Sequence, residues 1–142
     1  MADHVLVPLD GSPLASEALA HALRTFDCRV TVLNVVTPLD GSMIEGGVLD
    51  TGEERRDEAR ARADELVERA RAQATDAGRS IDTVVETGDP AETILSYVDS
   101  HAVDHVVMGG HGGERNGLAS RLLGTVATAV VAEAPVTVTV VR

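Results

Sequence analysis

The chain has 142 residues, enough for one domain with a real core, and at 44% hydrophobic and 25% charged its composition is globular rather than disordered. Its formal net charge is -11, from 12 basic and 23 acidic residues, which argues against nucleic acids and anionic membranes as partners, since these require a basic surface. No apolar run approaches the ~20 residues of a membrane span, and Met1-Ala2-Asp3-His4 carries none of the basic charge that starts a secretory leader, so the chain reads as cytoplasmic.

His4 to Leu9 is a near-continuous apolar run ended by Asp10-Gly11-Ser12, the pattern of a strand buried on both faces. Ser12 is placed as an N-cap and Pro13 as the first helical residue, and Ala15, Leu19, Ala22 and Leu23 follow at helical spacing. Arg29 to Val36, rich in β-branched residues, is the second strand. Thr37 to Thr51 holds Gly41, Gly46 and Gly47 with little periodicity and reads as a long loop. A helix follows from about Glu53 to Ala77, with Ala59, Ala63, Leu66, Ala70 and Ala74 as its apolar stripe. Glu58–Arg62 and Glu65–Arg69 are i,i+4 pairs on its solvated face, and Gly78 is its stop signal. Ile81 to Thr87 is the third strand. Gly88-Asp89-Pro90 turns the chain into a helix through about Ser100, with Ala91, Ile94, Leu95 and Val98 inward. Asp104 to Met108 is the fourth strand, followed by a glycine-rich loop, Gly109 to Gly117. A helix from Ser120 or Thr125 to Ala132 buries Leu122, Leu123, Val126 and Val130; Pro135 ends it, and Val136 to Val141 is the fifth strand. Strand and helix alternate throughout, which predicts an α/β fold: one domain over 1–142, with a doubly wound parallel sheet, helices on both faces and right-handed crossovers.

All 12 basic residues are arginine, and there are one Tyr, one Phe and no Trp. Together with the acidic surface this reads as adaptation to concentrated salt; a GC-rich genome is the alternative source of the missing lysine. The single cysteine, Cys28, has no internal disulfide partner and fits a reducing compartment. It reads as a small residue near the start of a strand. Without lysine the chain cannot build a Walker-type P-loop, so a phosphate site must use backbone amides, helix ends, hydroxyls or arginine. His4, His21, His101 and His105 show no metal-ligand spacing with the cysteine.

In doubly wound sheets, ligands bind beyond the carboxyl ends of the strands, where the strand order reverses. Two features stand at such ends: Asp10 after the first strand, and Met108-Gly109-Gly110-His111-Gly112-Gly113 after the fourth. Glycines let a ligand approach the backbone, successive amides form an anion-binding concavity, and the helix that follows adds its amino-terminal dipole. Gly124-Thr125 supplies a further glycine and a hydroxyl donor.

VLVPLDGS at 5–12, GDPAETIL at 88–95, DHVVMGGHG at 104–112, RNGLASRLLGTVATAVV at 115–131 and APVTVTVV at 134–141 occur in order, and on them the chain resembles the universal stress protein family over nearly its whole length. The nucleotide-binding branch of that family carries Gly-x2-Gly-x9-Gly-Ser/Thr in its last loop; Gly109-x2-Gly112 matches the first half and Gly124-Thr125 the second. Eleven residues, 113–123, replace the usual nine, so Gly113-Glu114 reads as an insertion. A carboxylate there repels ATP, helps to hold Mg²⁺, or points into solvent; the last is the reading adopted.

The resemblance implies a five-stranded parallel sheet of order 3-2-1-4-5, a Rossmann-like three-layer sandwich of the adenine nucleotide alpha hydrolase-like kind. It implies ATP, with or without Mg²⁺, as the ligand of a stress-response regulator or sensor with slow or no hydrolysis. Asp10 would accept from the ribose or adenine side, with an Asx-turn as its structural alternative. Pro8, Leu9 and Val35 would line the adenine pocket, and Met108 and Gly109 would border the ribose and α-phosphate. Gly112, Gly124, Thr125 and Val126 would present backbone or hydroxyl donors to the phosphates; Thr125 is also read as an N-cap. His111 either bonds a phosphate or stands in solvent, and Arg115 and Arg121 either neutralise phosphate charge or pair on the surface. No residue reads as a general base aimed at water. A family member that binds no nucleotide and acts through protein contacts is the alternative, favoured by the insertion at 113–114. A receiver domain is set aside because Asp10 has no adjacent acid and there is no lysine, and a flavin protein for want of aromatics. The resemblance also implies a homodimer through strand 136–141, a sheet edge that pairs antiparallel with its copy.

Overall fold

Alternation of side chains across extended backbone divides the apolar runs between two cores. In the computed structural model, which describes residues 2–38, 52–112 and 122–142, the elements run β1 (His4–Pro8), α1 (Pro13–Thr25), β2 (Arg29–Val36), α2 (Gly52–Asp76), β3 (Asp82–Thr87), α3 (Pro90–Ser100), β4 (His105–Gly109), α4 (Thr125–Glu133) and β5 (Thr137–Val141). All strand pairs are parallel, in the order β3-β2-β1-β4-β5. Val5, Val7, Val30, Val32 and Val107 face one side and pack with Ala18, Leu19 and Ala22 of α1 and Ala70 and Ala74 of α2. Leu6, Leu33, Val106 and Met108 face the other and pack with Ile94, Tyr97 and Val98 of α3 and Ala127 and Val130 of α4. The helices therefore cover both faces, as the alternation of elements predicts, and β1 is buried along nearly its whole length.

The termini of the helices follow their sequence signals. Ser12 caps α1, its hydroxyl accepting from the Ala15 amide at 3.3 Å, and Asp89 caps α3, accepting from the Glu92 amide at 3.1 Å. Gly78 sits at φ +72 just beyond α2, and the next amide, of Arg79, returns to the Ala74 carbonyl at 2.8 Å. Within α2, Ala63, Val67, Ala70 and Ala74 are buried, whereas Ala59 and Leu66 are half-buried. The Arg69–Glu65 pair forms at 3.3 Å, whereas the expected Glu58–Arg62 pair is not formed among the described residues, although all four side chains lie on the same solvated side of the helix. The Arg79 guanidinium donates to the carbonyls of Leu23 (2.8 Å), Phe26 (2.6 Å) and Cys28 (2.9 Å), tying the end of α1 to the entry of β2. At the amino-terminal end of the sheet, buried His4 meets Thr31 Oγ1 through Nε2 at 2.7 Å and the His101 carbonyl through Nδ1 at 3.1 Å. Most of the predicted 37–51 loop, Gly113-Glu114, Arg115 and Arg121 lie outside the described residues.

Candidate functional site

The strand order reverses between β1 and β4. There the chain ends of β1 and β4 separate and leave room above the sheet. The path out of β1 is fixed by two bonds: the Leu9 amide donates to the Leu33 carbonyl at 2.9 Å, and the buried Asn34 side chain donates to the Leu9 carbonyl at 2.8 Å. Asp10 Oδ1 then accepts from the Ser12 amide at 2.9 Å, an Asx-turn that leads into the Ser12 cap of α1. The structural alternative for Asp10 is thus realised, and its other oxygen, Oδ2, is directed toward the glycine loop across the gap.

Gly109, at the start of that loop, has no room for a side chain, and a side chain at Gly112 would have to displace the Asp10 carboxylate. A Cβ on Gly109 would stand 2.9 Å from Leu14 Cβ and 3.1 Å from the Leu14 carbonyl carbon, so the start of α1 lies directly against β4. A Cβ on Gly112 would fall 2.7 Å from Asp10 Oδ2. Between them, the Gly110 amide continues the sheet by donating to the Val141 carbonyl at 2.8 Å, and the Gly110 carbonyl accepts from the Gly124 amide at 2.6 Å. The loop is thereby anchored on β5 at one point and on the start of α4 at another.

The result is a cleft of about 220 Å³. Its interior is apolar, formed by Leu9, Leu33, Val35, Ile94, Met108 and Val126; its mouth is polar, formed by Asp10, Ser12 and His111 with the backbone of Gly109 and Gly112. Pro8, Ala15 and Pro90 complete the lining. Nine predicted residues therefore meet around one cavity: Pro8, Leu9, Asp10, Val35, Met108, Gly109, His111, Gly112 and Val126. Gly124 and Thr125 lie beside it rather than in its lining, and Arg115 is outside the described residues. Ser12, Ala15, Leu33, Pro90 and Ile94 were not predicted as site residues. Period-two alternation from Val35 points to Leu33, and the i,i+4 relation of Pro90 to Ile94 on a helix that starts at the carboxyl end of β3 points to both.

Two expected roles change, one of a donor and one of an acceptor. The Gly124 amide is consumed by Gly110, so Gly124 braces the loop against His111 instead of offering a donor. Thr125 is not the N-cap of α4; Gly124 is, and it provides no side-chain acceptor. The first-turn amides of α4 thus lack the side-chain cap that α1 and α3 possess, and no acidic residue stands in that turn. An uncapped helix start beside a cavity offers oriented N–H groups and the positive end of the helix dipole. His111 Nδ1 is buried without a hydrogen-bond partner among the described residues. Among the described residues no three metal-ligating side chains converge, and no helix is long and apolar enough to cross a membrane.

A five-stranded parallel sheet of this order, with a cleft at its switch point, defines a Rossmann-like protein of the adenine nucleotide alpha hydrolase-like class. Residues 1–142 match the universal stress protein family, and the chain belongs to it. A universal stress protein of Methanocaldococcus jannaschii is 32% identical over 143 residues, covering 97% of this chain and 81% of that one. The solved universal stress protein UspA from Lactobacillus plantarum superposes with a TM-score of 0.81 at 27% identity, over 99% of this chain and 97% of that one. The universal stress protein of Archaeoglobus fulgidus in complex with dAMP shares the fold at a TM-score of 0.69 and 20% identity, over 100% of this chain and 98% of that one. Structures with AMP, from Arabidopsis thaliana, and with cAMP share it at 19% and 20% identity and TM-scores of 0.69 and 0.71.

Proposed function

We propose that the cleft holds an adenine nucleotide, ATP in first place, and that this single cytoplasmic domain is a stress-response regulator in which hydrolysis is slow or absent. One observation carries the reading: an apolar slot opens directly onto a glycine-lined mouth beside an uncapped helix start. A purine suits the slot between Leu33, Val35 and Met108. The ribose then lies within reach of Asp10, and the phosphates extend over Gly112 toward α4. At about 220 Å³ the cleft is smaller than the ~300 Å³ at which pockets for whole drug-sized ligands begin. The base and part of the sugar fill it, and the phosphates remain at the surface. Fold relatives in complex with dAMP, AMP and cAMP support the choice of adenine. Mg²⁺, where present, arrives with the phosphates, with Asp10 as the carboxylate of the lining among the described residues.

A second reading rests on that same carboxylate. Asp10 places negative charge where the phosphates would pass, and no lysine side chain exists to offset it. This favours a family member that works through protein contacts instead. Calorimetric titration with ATP and Mg²⁺ in concentrated KCl decides: saturable heat at one ligand per chain supports the first reading, and none up to millimolar ATP supports the second.

We infer further that residues 136–141 form a homodimer contact. β5 is an edge of the sheet, with one side of its backbone left unpaired by β4. Light scattering at working salt is expected to give the mass of two chains; the mass of one overturns the inference.

A further inference from the structure

We propose a second ligand site on the opposite face of the sheet, in the groove between the first half of α2 and the carboxyl end of β3, that takes a small amphipathic anion with a single carboxylate or phosphate head. Strand alternation puts it there. Val84 packs into the core beneath α3 and α4, so its neighbour Val85 faces the other way and lines the groove. Likewise Val35 lines the cleft, and Val36 lines the groove. The cavity measures about 510 Å³, inside the ~300–1,000 Å³ range of small-molecule sites and larger than the cleft.

Its chemistry is set by one ridge of α2. Arg56, Arg60 and Asp64 succeed one another at i,i+4, so they share a face of the helix, and all three line the cavity. Further along the helix, Arg69 pairs with Glu65, and Arg71 pairs with Glu68 and donates to Thr83 Oγ1 at 2.8 Å, stitching α2 to the start of β3. Among the described residues Arg56 and Arg60 hold no ion pair, and at their level a cavity lies between α2 and the ends of β2 and β3. In a chain of net charge -11, two guanidinium groups on one cavity, neither in an ion pair among the described residues, are a local reversal of sign. Guanidinium forks match carboxylate and phosphate oxygens. Thr37 and Thr87 add hydroxyls, while Val36 and the 43% exposed Val85 offer apolar surface to the body of the ligand. Asp64 at the far end repels a second anionic group, which limits the ligand to one charged head.

The site is independent of the reading of the cleft, and methyl NMR tests it with hexanoate and hexyl phosphate as probes. Either probe is expected to shift the Val36 and Val85 methyls saturably at millimolar concentration. Inorganic phosphate and hexanol, each lacking half of the chemistry, are expected to bind more weakly than the probes. The R56Q/R60Q variant should lose roughly tenfold in affinity at an unchanged melting temperature, because both side chains are exposed. R56K/R60K, which retains the charge, should recover part of that loss. The tighter of the two probes identifies the head group. Shifts centred instead on Ile94, Met108 and Val126, hexanol binding as tightly as hexanoate, an affinity unchanged in R56Q/R60Q, or no saturation each overturn the proposal.

Discussion

The imidazole of His111 keeps its Nδ1 buried and without a hydrogen-bond partner among the described residues, and an unmet buried polar atom costs about 1–3 kcal/mol. A ligand oxygen at the mouth of the cleft would meet it. His111→Ala is therefore expected to weaken the proposed nucleotide binding by about tenfold without lowering the thermal midpoint, since it also removes the unmet atom; calorimetry and a melting curve read the two effects separately. A second histidine governs a pH response. His105 touches Thr139 Oγ1 through Nε2 at 2.8 Å and lies 4.7 Å from the Phe26 ring. Burial holds its pKa below the ordinary 6.5, His21 adds to the shift, and Asp104 opposes it. The folded protein thus binds fewer protons here than the unfolded chain, so this contribution to stability is present above about pH 6.5 and is lost as pH falls through the folded value. Denaturation at pH 7.5 and at pH 5.5 should show a loss that is smaller in His105→Gln.

At the level of the element, Arg79 joins three segments through a single side chain. Arg79→Ala leaves the carbonyls of Leu23, Phe26 and Cys28 without their charged donor and is expected to cost about 2 kcal/mol in urea denaturation, with Arg79→Lys intermediate because it lacks the planar fork. Nothing in the sequence announces this role, because the three acceptors are main-chain atoms 51 to 56 residues away. The elements themselves were legible. Apolar runs such as Val5–Val7 and Val106–Met108, bounded by turn residues, mark buried parallel strands, and Ser12-Pro13 and Asp89-Pro90 mark helix starts. The strand order required the family resemblance, since alternation alone does not say which strands are neighbours. Of the site, the glycines and Asp10 stood out by type and position. The Asn34 tether on Leu9 did not, because an asparagine within an apolar strand shows its partner only after folding. The capture of the Gly124 amide by Gly110 was hidden for the same reason. Glycine motifs report where backbone comes close, not which amide remains free.

For the molecule as a whole, 23 acidic side chains against 12 basic ones must share one small surface. Several carboxylates are engaged locally, as in Arg29–Asp82 at 2.7 Å, yet the excess remains. Mutual repulsion is screened by salt. The thermal midpoint is accordingly expected to rise from dilute buffer to molar KCl, and a flat or falling curve would count against a salt-adapted surface. The sheet has its own order of assembly. β1 lies at its centre and leads in sequence, β2 and β3 extend one side, and β4 and β5 extend the other. The glycine loop is fastened to the last of these through the Val141 carbonyl. A ribosome therefore delivers the apolar walls of the cleft from β1 and β2 long before it delivers the peg that holds the mouth. A nascent chain can fold around its central strands, but it acquires a finished mouth only when the final strand emerges. A protease that clips that strand would unmake the mouth first.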